Sequence, residues 1–225
     1  MAQKTDREAG QVQIWDLPTR IFHWALVAFV GGCFVTAKLG GNLMVYHIYS
    51  GLMVLGLLLF RMVWGVVGSR TARFSHFVRG PRAAWQYARS LTGSHPQHVL
   101  GHNPLGGWSI VAMLLALVIQ ATTGLFANDE IFTYGPLYSM VSEATSIRLT
   151  EIHRLNQGVI AGLVGLHLLA VLFYLGVKRE NLIMPMINGR KPGSPSPKTE
   201  LKTPPLWVAL LVLAFAAASV YFIGW

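Results

Sequence analysis

The sequence contains little charge. Among its 225 residues only 12% are Asp, Glu, Lys or Arg, whereas 53% are hydrophobic, and soluble domains usually carry about 25% charged residues. This is too little charge to cover the surface of a water-soluble globule of this size. Several apolar runs also reach the roughly 20 residues that an α-helix needs to span a bilayer. The composition therefore predicts an integral membrane protein, long enough for one compact helical bundle.

Cysteine is nearly absent, since Cys33 is the only one. A single thiol excludes a disulfide framework, a thiolate metal cluster and covalent cofactor attachment through a Cys-x-x-Cys-His motif. The sequence also lacks a Gly-rich phosphate loop, a nucleophile triad and a dinucleotide-binding fingerprint, so pyridine-nucleotide chemistry is unsupported. No cleavable signal peptide is expected, because residues 1–19 are polar and of mixed charge and the first apolar run is long enough to stay in the membrane.

Five segments are predicted to span the membrane as helices. None has the alternating pattern of a barrel strand, and in lipid only helices and closed barrels satisfy the backbone. The first four spans belong to a bundle within residues 1–187, and the Pro-, Ser- and Lys-rich stretch 188–205 is predicted to be a flexible linker before the fifth. The spans are expected at about residues 20–39, 44–68, 107–127, 152–177 and 206–225.

Basic residues are distributed unevenly over the connecting segments. With a cytoplasmic N-terminus, fifteen of the 18 Lys and Arg residues fall on the inner side, and only Lys38, Arg148 and Arg154 fall on the outer side. This is the positive-inside pattern. It accounts for most of the formal net charge of +9, so binding of nucleic acid is not predicted. Five spans then place the C-terminus outside.

Four of the eight histidines lie within the predicted spans, where ionisable residues are costly and are therefore functional candidates. His23 is near the inner end of the first span, and His47 is at the outer end of the second. His153 and His167 are fourteen residues apart on the fourth span, which corresponds to about 21 Å and to nearly the same helix face. Depth therefore pairs His47 with His153 and His23 with His167.

Two pairs of opposed imidazoles at two depths fit two bis-histidine haems, a cofactor that helical bundles commonly bind between facing helices. Gly51, one turn after His47, would let a flat macrocycle approach the backbone. Zinc or copper is disfavoured, because each depth supplies only two imidazoles and no nearby Cys or carboxylate pair. A proton relay stays open as an alternative, although relays usually include buried Asp or Glu.

Arg61 is the one charge in the second span, fourteen residues after His47. It is therefore predicted to lie at the depth of His167. Two interpretations are equally favoured. In the first, its guanidinium holds a propionate of the inner haem or raises the potential of that haem. In the second, the side chain snorkels to the cytoplasmic interface.

Other polar and small residues receive structural interpretations. Small residues along the fourth span, Gly158, Ala161, Gly162 and Gly165, are predicted to allow close helix packing. Six tryptophans near the span ends are predicted to anchor the interfaces: Trp15, Trp24, Trp64, Trp108, Trp207 and Trp225. The remaining histidines, His76, His95, His98 and His102, are expected to be solvated loop residues.

A series of short motifs, in order and at fixed spacing, covers residues 12–191. Together they resemble the bacterial cytochrome b561 family, especially its branch related to the b-type cytochrome subunits of nickel–iron hydrogenases. The motifs are Val12-x-Ile14-Trp15-Asp16-Leu17-Pro18-Thr19-Arg20-x-x-His23-Trp24, Arg61-x-x-Trp64-Gly65-x-x-Gly68-Ser69, Ala72-Arg73-Phe74, Gly80-Pro81-Arg82, Gly101-His102-Asn103-Pro104-Leu105-Gly106-Gly107, Arg179-Glu180-Asn181-Leu182-Ile183 and Met186-Ile187-x-Gly189-Arg190-Lys191.

The resemblance implies a four-helix haem-binding bundle in the bacterial cytoplasmic membrane, with two haem b groups held by His23, His47, His153 and His167. Such proteins carry electrons between the quinone pool and a periplasmic partner such as a cytochrome c or a hydrogenase. The acidic outer loop, 128–151, could steer a basic cytochrome c. The alternatives are a stand-alone quinone oxidoreductase or superoxide oxidase, and a haem-free transporter or anchor subunit. The fifth helix departs from the four-helix plan and is expected to anchor or pack, or to dock a partner.

Overall fold

The computed structural model describes residues 10–90, 101–192 and 201–224, which are predominantly helical. Within these residues, five helices are long and apolar enough to cross a membrane, in agreement with the predicted all-α membrane fold. In chain order the elements are β1 (Gln11–Gln13), α1 (Leu17–Leu39), α2 (Met44–Val67), α3 (Phe74–Phe77), α4 (Pro81–Ser90), α5 (Pro104–Gly124), α6 (Glu143–Gly176), α7 (Ile183–Asn188), β2 (Arg190–Pro192) and α8 (Leu206–Gly224).

Side-chain caps fix where three of the long helices begin. The Asp16 carboxylate accepts from the Thr19 amide at 2.6 Å, and the Asn103 carbonyl accepts from the Gly106 amide at 2.7 Å. Pro18 and Pro104 follow these caps, at positions where a missing N–H costs nothing. The Ser142 hydroxyl caps α6. Helix α6 thus begins nine residues before the predicted fourth span, because its first turns are polar and extend beyond the apolar stretch 158–177.

The long helices pack in the order α1, α2, α5, α6, and α8 packs against α2. The core contains Leu58 and Trp64 of α2, which are almost fully buried, together with Leu114 and Leu117 of α5. Ala216 of α8 is only 1% exposed, so the fifth helix is packed onto the bundle. Helix α6 makes its extensive contacts with α5, which leaves a gap between α6 and the pair α1–α2.

A short antiparallel sheet joins the two ends of the four-helix segment. Strands β1 and β2 pair in the register Val12 to Lys191, and the Gly189 carbonyl accepts from the amides of Ile14 and Trp15. Gly189 has a φ of 82°, and a Cβ there would lie 2.8 Å from the Trp15 carbonyl oxygen, so glycine is required. Part of the predicted linker, 190–192, is therefore a paired strand, whereas 193–200 lies outside the described residues.

Two of the tryptophan predictions are wrong. Trp64 is fully buried, and its indole N–H donates to the Asp16 carboxylate at 3.3 Å. Trp15 is only 7% exposed. Both pack where the start of α1 meets the end of α2. Each indole is therefore buried in a helix contact, although its position near a predicted span end had indicated the lipid interface. Trp24, Trp108 and Trp207 are exposed, and Trp225 lies outside the described residues.

The small-residue stripe of α6 does not pack within the described chain. A Cβ placed on Gly158, Gly162 or Gly165 would meet no atom within 4 Å. The predicted close packing at these residues is therefore wrong for contacts inside this polypeptide. The physical reason is that these glycines lie on the face of α6 turned away from His153, where no described helix packs.

Candidate functional site

His47 of α2 and His153 of α6 face each other at the end of the bundle opposite the N-terminus. Their ring centroids are 6.1 Å apart and their planes are 82° apart. Each imidazole bonds a backbone carbonyl through Nδ1, His47 to Cys33 at 3.0 Å and His153 to Gln120 at 2.9 Å. Because a carbonyl can only accept, Nδ1 carries the proton and Nε2 keeps its lone pair. Both rings are thus oriented as metal ligands usually are.

Helix α5 provides the surface that holds the His153 ring. A Cβ on Gly124 would lie 2.9 Å from Cε1 of His153, so the ring rests directly against the end of this helix. The Asn156 amide donates to the Gln120 side chain and to the Ala116 carbonyl, each at 2.8 Å. These bonds tie α6 to α5 one turn inward from His153. The neighbouring helix therefore determines the orientation of the imidazole.

A cavity of about 390 Å³ surrounds this pair of imidazoles. Its size lies within the usual range of about 300–1,000 Å³ for sites that bind small ligands. Helices α1, α2, α5 and α6 and the loop after α5 all contribute to its wall. Gly51 lines the cavity, and a Cβ there would meet no atom within 4 Å. The structure thus places Gly51 beside open space, one turn from His47.

His23 of α1 and His167 of α6 form the second pair, nearer the N-terminal end of the bundle. The two imidazoles are close enough to interact electrostatically. Among the described residues, Nδ1 of His23 is buried and has no hydrogen-bond partner, and the ring stands edge-on to Trp24 at 5.0 Å between centroids. A buried polar atom without a partner is costly.

Arg61 is enclosed by aromatic side chains at the N-terminal end of the bundle. It is only 4% exposed, and its guanidinium carbon lies 4.6 Å from the Phe74 ring centroid and 5.8 Å from that of Phe77. It also interacts electrostatically with the buried Asp16. Among the described residues its Nη1 has no hydrogen-bond partner. The structure brings Arg61 together with α3 and the α1 cap, while its role beside a haem stays a prediction.

His102 was expected to be solvated, and this expectation is wrong. Its ring lies between Trp15 and Phe77, at 4.4 and 4.7 Å between centroids. Burial lowers the pKa of His102 to about 3, with further contributions from nearby Arg61 and His76, so the imidazole is neutral at physiological pH. The aromatic neighbours come from distant parts of the chain, which is why local sequence gave no signal. His76 accepts a hydrogen bond from Arg70 at 2.8 Å, and His95 and His98 lie outside the described residues.

The imidazole spacing is suitable for an iron between the rings. Metal–imidazole bonds are about 2 Å long, and a five-membered ring with C–N bonds of about 1.33 Å has a radius of roughly 1.1 Å. Two such ligands therefore need ring centroids roughly 6 Å apart, and His47 and His153 are 6.1 Å apart. Opposed imidazoles beside a cavity between apolar spanning helices are the arrangement that a membrane b-type cytochrome requires.

Comparisons with known proteins identify the family. The chain matches the family model described as prokaryotic cytochrome b561 over residues 14–189, and it belongs to that family. The protein is accordingly a multi-pass membrane cytochrome that binds haem b and transfers electrons. This excludes the haem-free alternative.

Two relatives illustrate the branch. The "Probable Ni/Fe-hydrogenase 1 B-type cytochrome subunit" of Escherichia coli (strain K12) is 24% identical over 221 residues, covering 84% of this chain and 94% of the relative. The "Probable Ni/Fe-hydrogenase B-type cytochrome subunit" of Rhizobium leguminosarum bv. viciae is 24% identical over 217 residues, covering 82% and 90%. No solved structure gives a significant match.

On the prediction that His153 is a haem ligand, replacing Gly124 by Ala should weaken haem binding. The added methyl group would push against Cε1 of the imidazole, and overpacking of this kind costs about 1–3 kcal/mol, or roughly a 5- to 150-fold loss of affinity. Haem per polypeptide after purification is the measurement. Gly158→Ala is the matched control, because its Cβ would meet no atom within 4 Å. Equal haem content in both variants would contradict the role of Gly124.

Proposed function

We propose that this cytochrome binds two haem b groups and carries electrons across the bacterial cytoplasmic membrane, between the quinone pool and a periplasmic redox partner. One haem would be held by His47 and His153, and the other by His23 and His167. The observation that carries the proposal is the opposed pair His47 and His153, 6.1 Å apart beside a cavity of about 390 Å³. Bound haem b supplies an iron that alternates between the ferric and ferrous states.

The chain's own residues separate and orient the two centres. His153 and His167 lie on one continuous helix, α6, fourteen residues or about 21 Å apart. Backbone carbonyls of α1 and α5 fix the ring orientation at the outer pair. Apolar side chains between the levels, such as Val54, Leu117 and Ile160, exclude water from the path. The two sites together therefore suit electron transfer through the thickness of the membrane.

The proposed orientation puts the N-terminus in the cytoplasm and the C-terminus in the periplasm. It is supported by the excess of Lys and Arg on the side of the N-terminus. The sheet of β1 and β2 joins both ends of the four-helix segment on that side. His23 and His167 would then form the inner site, and His47 and His153 the outer site.

The names of the relatives support a redox partner at the outer site. They are described as B-type cytochrome subunits of Ni/Fe-hydrogenases, which suggests a hydrogenase-like or comparable protein that exchanges electrons with the haem. A cytochrome c is the other partner that we consider, because residues 128–151 hold four carboxylates and one Arg. Quinone dissolved in the membrane is proposed as the other redox partner of the cytochrome.

Single His→Ala substitutions should each remove one haem. We expect two haems per polypeptide in the wild type and about one in His47→Ala, His153→Ala, His23→Ala and His167→Ala. Haem is quantified against protein, and a reduced-minus-oxidised visible spectrum reports which band is lost. Variants of the same pair should lose the same band. His76→Ala, outside the spanning helices, is the control. A wild type with one haem would remove the two-site proposal.

The hydrogen bonds of the two pairs differ, and we propose that this difference orders their potentials. Both outer imidazoles donate Nδ1–H to a carbonyl, which makes them stronger donors to ferric iron. Within the described residues, Nδ1 of His23 has no such partner. Stronger donation stabilises the ferric state, so the outer haem should have the lower midpoint potential.

Methionine substitutions can assign the two potentials, because a Met axial ligand raises the potential of haem iron. His153→Met should raise the lower of the two midpoint potentials seen in the wild type, while His167→Met should raise the higher one. Redox titration followed by visible absorbance measures both. If His153→Met moved the higher potential, the proposed order would be reversed.

Arg61 is proposed to raise the potential of the inner haem by its positive charge. Arg61→Gln should lower that potential by roughly tens of millivolts, because a buried charge is poorly screened. The measurement is the same redox titration. Arg148→Gln, which removes an exposed cation of α6, should leave it unchanged. An unchanged inner potential in folded, haem-replete Arg61→Gln would contradict the proposal.

A further inference from the structure

The loop formed by residues 129–134, beside the outer site, presents two large apolar side chains to its surroundings. Phe132 is 88% exposed and Ile131 is 66% exposed. We call these two residues the apolar tip. Scattered exposed apolar residues are common on monomers, whereas contiguous exposed apolar surface often marks an interaction site.

The loop is held in one conformation by its own hydrogen bonds. The Asp129 carboxylate accepts from the amides of Ile131, Phe132 and Thr133 at 2.7–3.0 Å. These amides, Thr133 above all, hold the pKa of the Asp129 carboxyl well below its usual range. Asn128 accepts from the Glu130 amide. The apolar tip is therefore presented on a fixed backbone.

The backbone of Glu130 is the strained point of this loop. Its φ is 57°, a left-handed conformation that is uncommon for a residue with a side chain. Strain of this kind persists only where the surrounding contacts impose it. Here the surrounding contacts are the Asn128 and Asp129 side chains, and the result is that the apolar tip is turned outward.

The position of the loop keeps the apolar tip out of the hydrocarbon. The charge-free part of α6, residues 155–176, is about 33 Å long and already matches the hydrocarbon thickness. Asn128 is bonded to Ser146 and Thr150 of α6, which lie at least five residues, about 8 Å, beyond that stretch. Lipid tails therefore do not cover Ile131 and Phe132.

The loop also adjoins the outer redox site. Asp129 and Thr133 line the same cavity as His47 and His153, so a molecule seated on the apolar tip would lie close to the outer haem. The surrounding segment is acidic, since 128–151 contains Asp129, Glu130, Glu143 and Glu151 but only one basic residue, Arg148. The rest of the chain is strongly basic, which makes this acidic region distinctive.

We propose that the apolar tip is the docking point for the redox partner of the outer haem, and that this partner is a soluble basic electron-carrier protein. Its apolar contact patch would cover Phe132 and Ile131, and a rim of Lys and Arg would face the loop carboxylates. The inference rests on the proposed electron-transfer function, and it adds the surface and the chemistry of the partner. A small aromatic anchor with a charged rim is the usual form of such contacts.

The first test measures what surrounds the apolar tip, and it does not depend on function. A nitroxide is attached at Phe132→Cys in a Cys33→Ser background, in the haem-containing protein in lipid nanodiscs. Power saturation should show high access to a water-soluble nickel chelate and low access to oxygen. Phe215→Cys, on the exposed face of α8, is the control and should show the reverse. Lipid-like access at residue 132 would overturn the proposal.

The second test measures docking, with a small basic cytochrome c as the probe. Dithionite-reduced protein is mixed with oxidised cytochrome c by stopped flow, and the second-order rate constant is measured at several salt concentrations. Phe132→Ala should lower the rate at least tenfold, with unchanged haem content and midpoint potentials. Phe215→Ala should match the wild type.

The outcomes separate this inference from the proposed function. An unchanged rate in Phe132→Ala, or a wild-type rate that does not fall with salt, would overturn the docking surface. Absence of electron transfer from a two-haem wild type would overturn the choice of a basic carrier. The proposal of two haems that carry electrons across the membrane would be unaffected. A wild type lacking two haems would instead remove the proposed function, while the nitroxide result would still decide where the apolar tip lies.

Discussion

The site of His47 and His153 depends on two hydrogen bonds from imidazole Nδ1 atoms to backbone carbonyls, at Cys33 and Gln120. In an apolar bundle an imidazole is costly unless its polar atoms are bonded, and these bonds satisfy one nitrogen and aim the other. Each carbonyl belongs to a helix different from that of its histidine. The site is therefore correctly formed only when α1 packs on α2 and α5 packs on α6. The packing of these helices thus determines the orientation of the two imidazoles.

Much of the fold could be predicted because a membrane restricts the choices. Length and hydropathy were enough for the five spans, while the two histidine pairs, inferred from the fourteen-residue interval between His153 and His167, stay a prediction. The fine geometry was not accessible. Which carbonyl each Nδ1 would meet depends on the rotation of a neighbouring helix, and the contact of Gly124 with the His153 ring depends on where α5 ends.

The errors at the N-terminal end of the bundle share one cause. Trp15, Trp64 and His102 were each assigned to an interface or to solvent from their position near span ends. In the structure they pack into one assembly with Asp16, Phe77 and the α1 cap. The residues of this assembly come from the start of α1, the end of α2 and the segments around α3 and α5. Local sequence carries no information on these tertiary contacts, because the contacting residues are up to about ninety positions apart in the chain.

The pairing of β1 with β2 gives the four-helix segment a closed topology. Residues 11–13 and 190–192 hold its two ends together, so helices α1, α2, α5 and α6 lie inside a loop whose ends are non-covalently fastened. Holding the two ends together costs the chain the conformational entropy of closing this long loop. Helix α8 follows β2 in the chain and therefore lies outside this closed unit. Every residue of this fastened unit precedes α8 in the chain, so the unit is synthesised in full before the last helix.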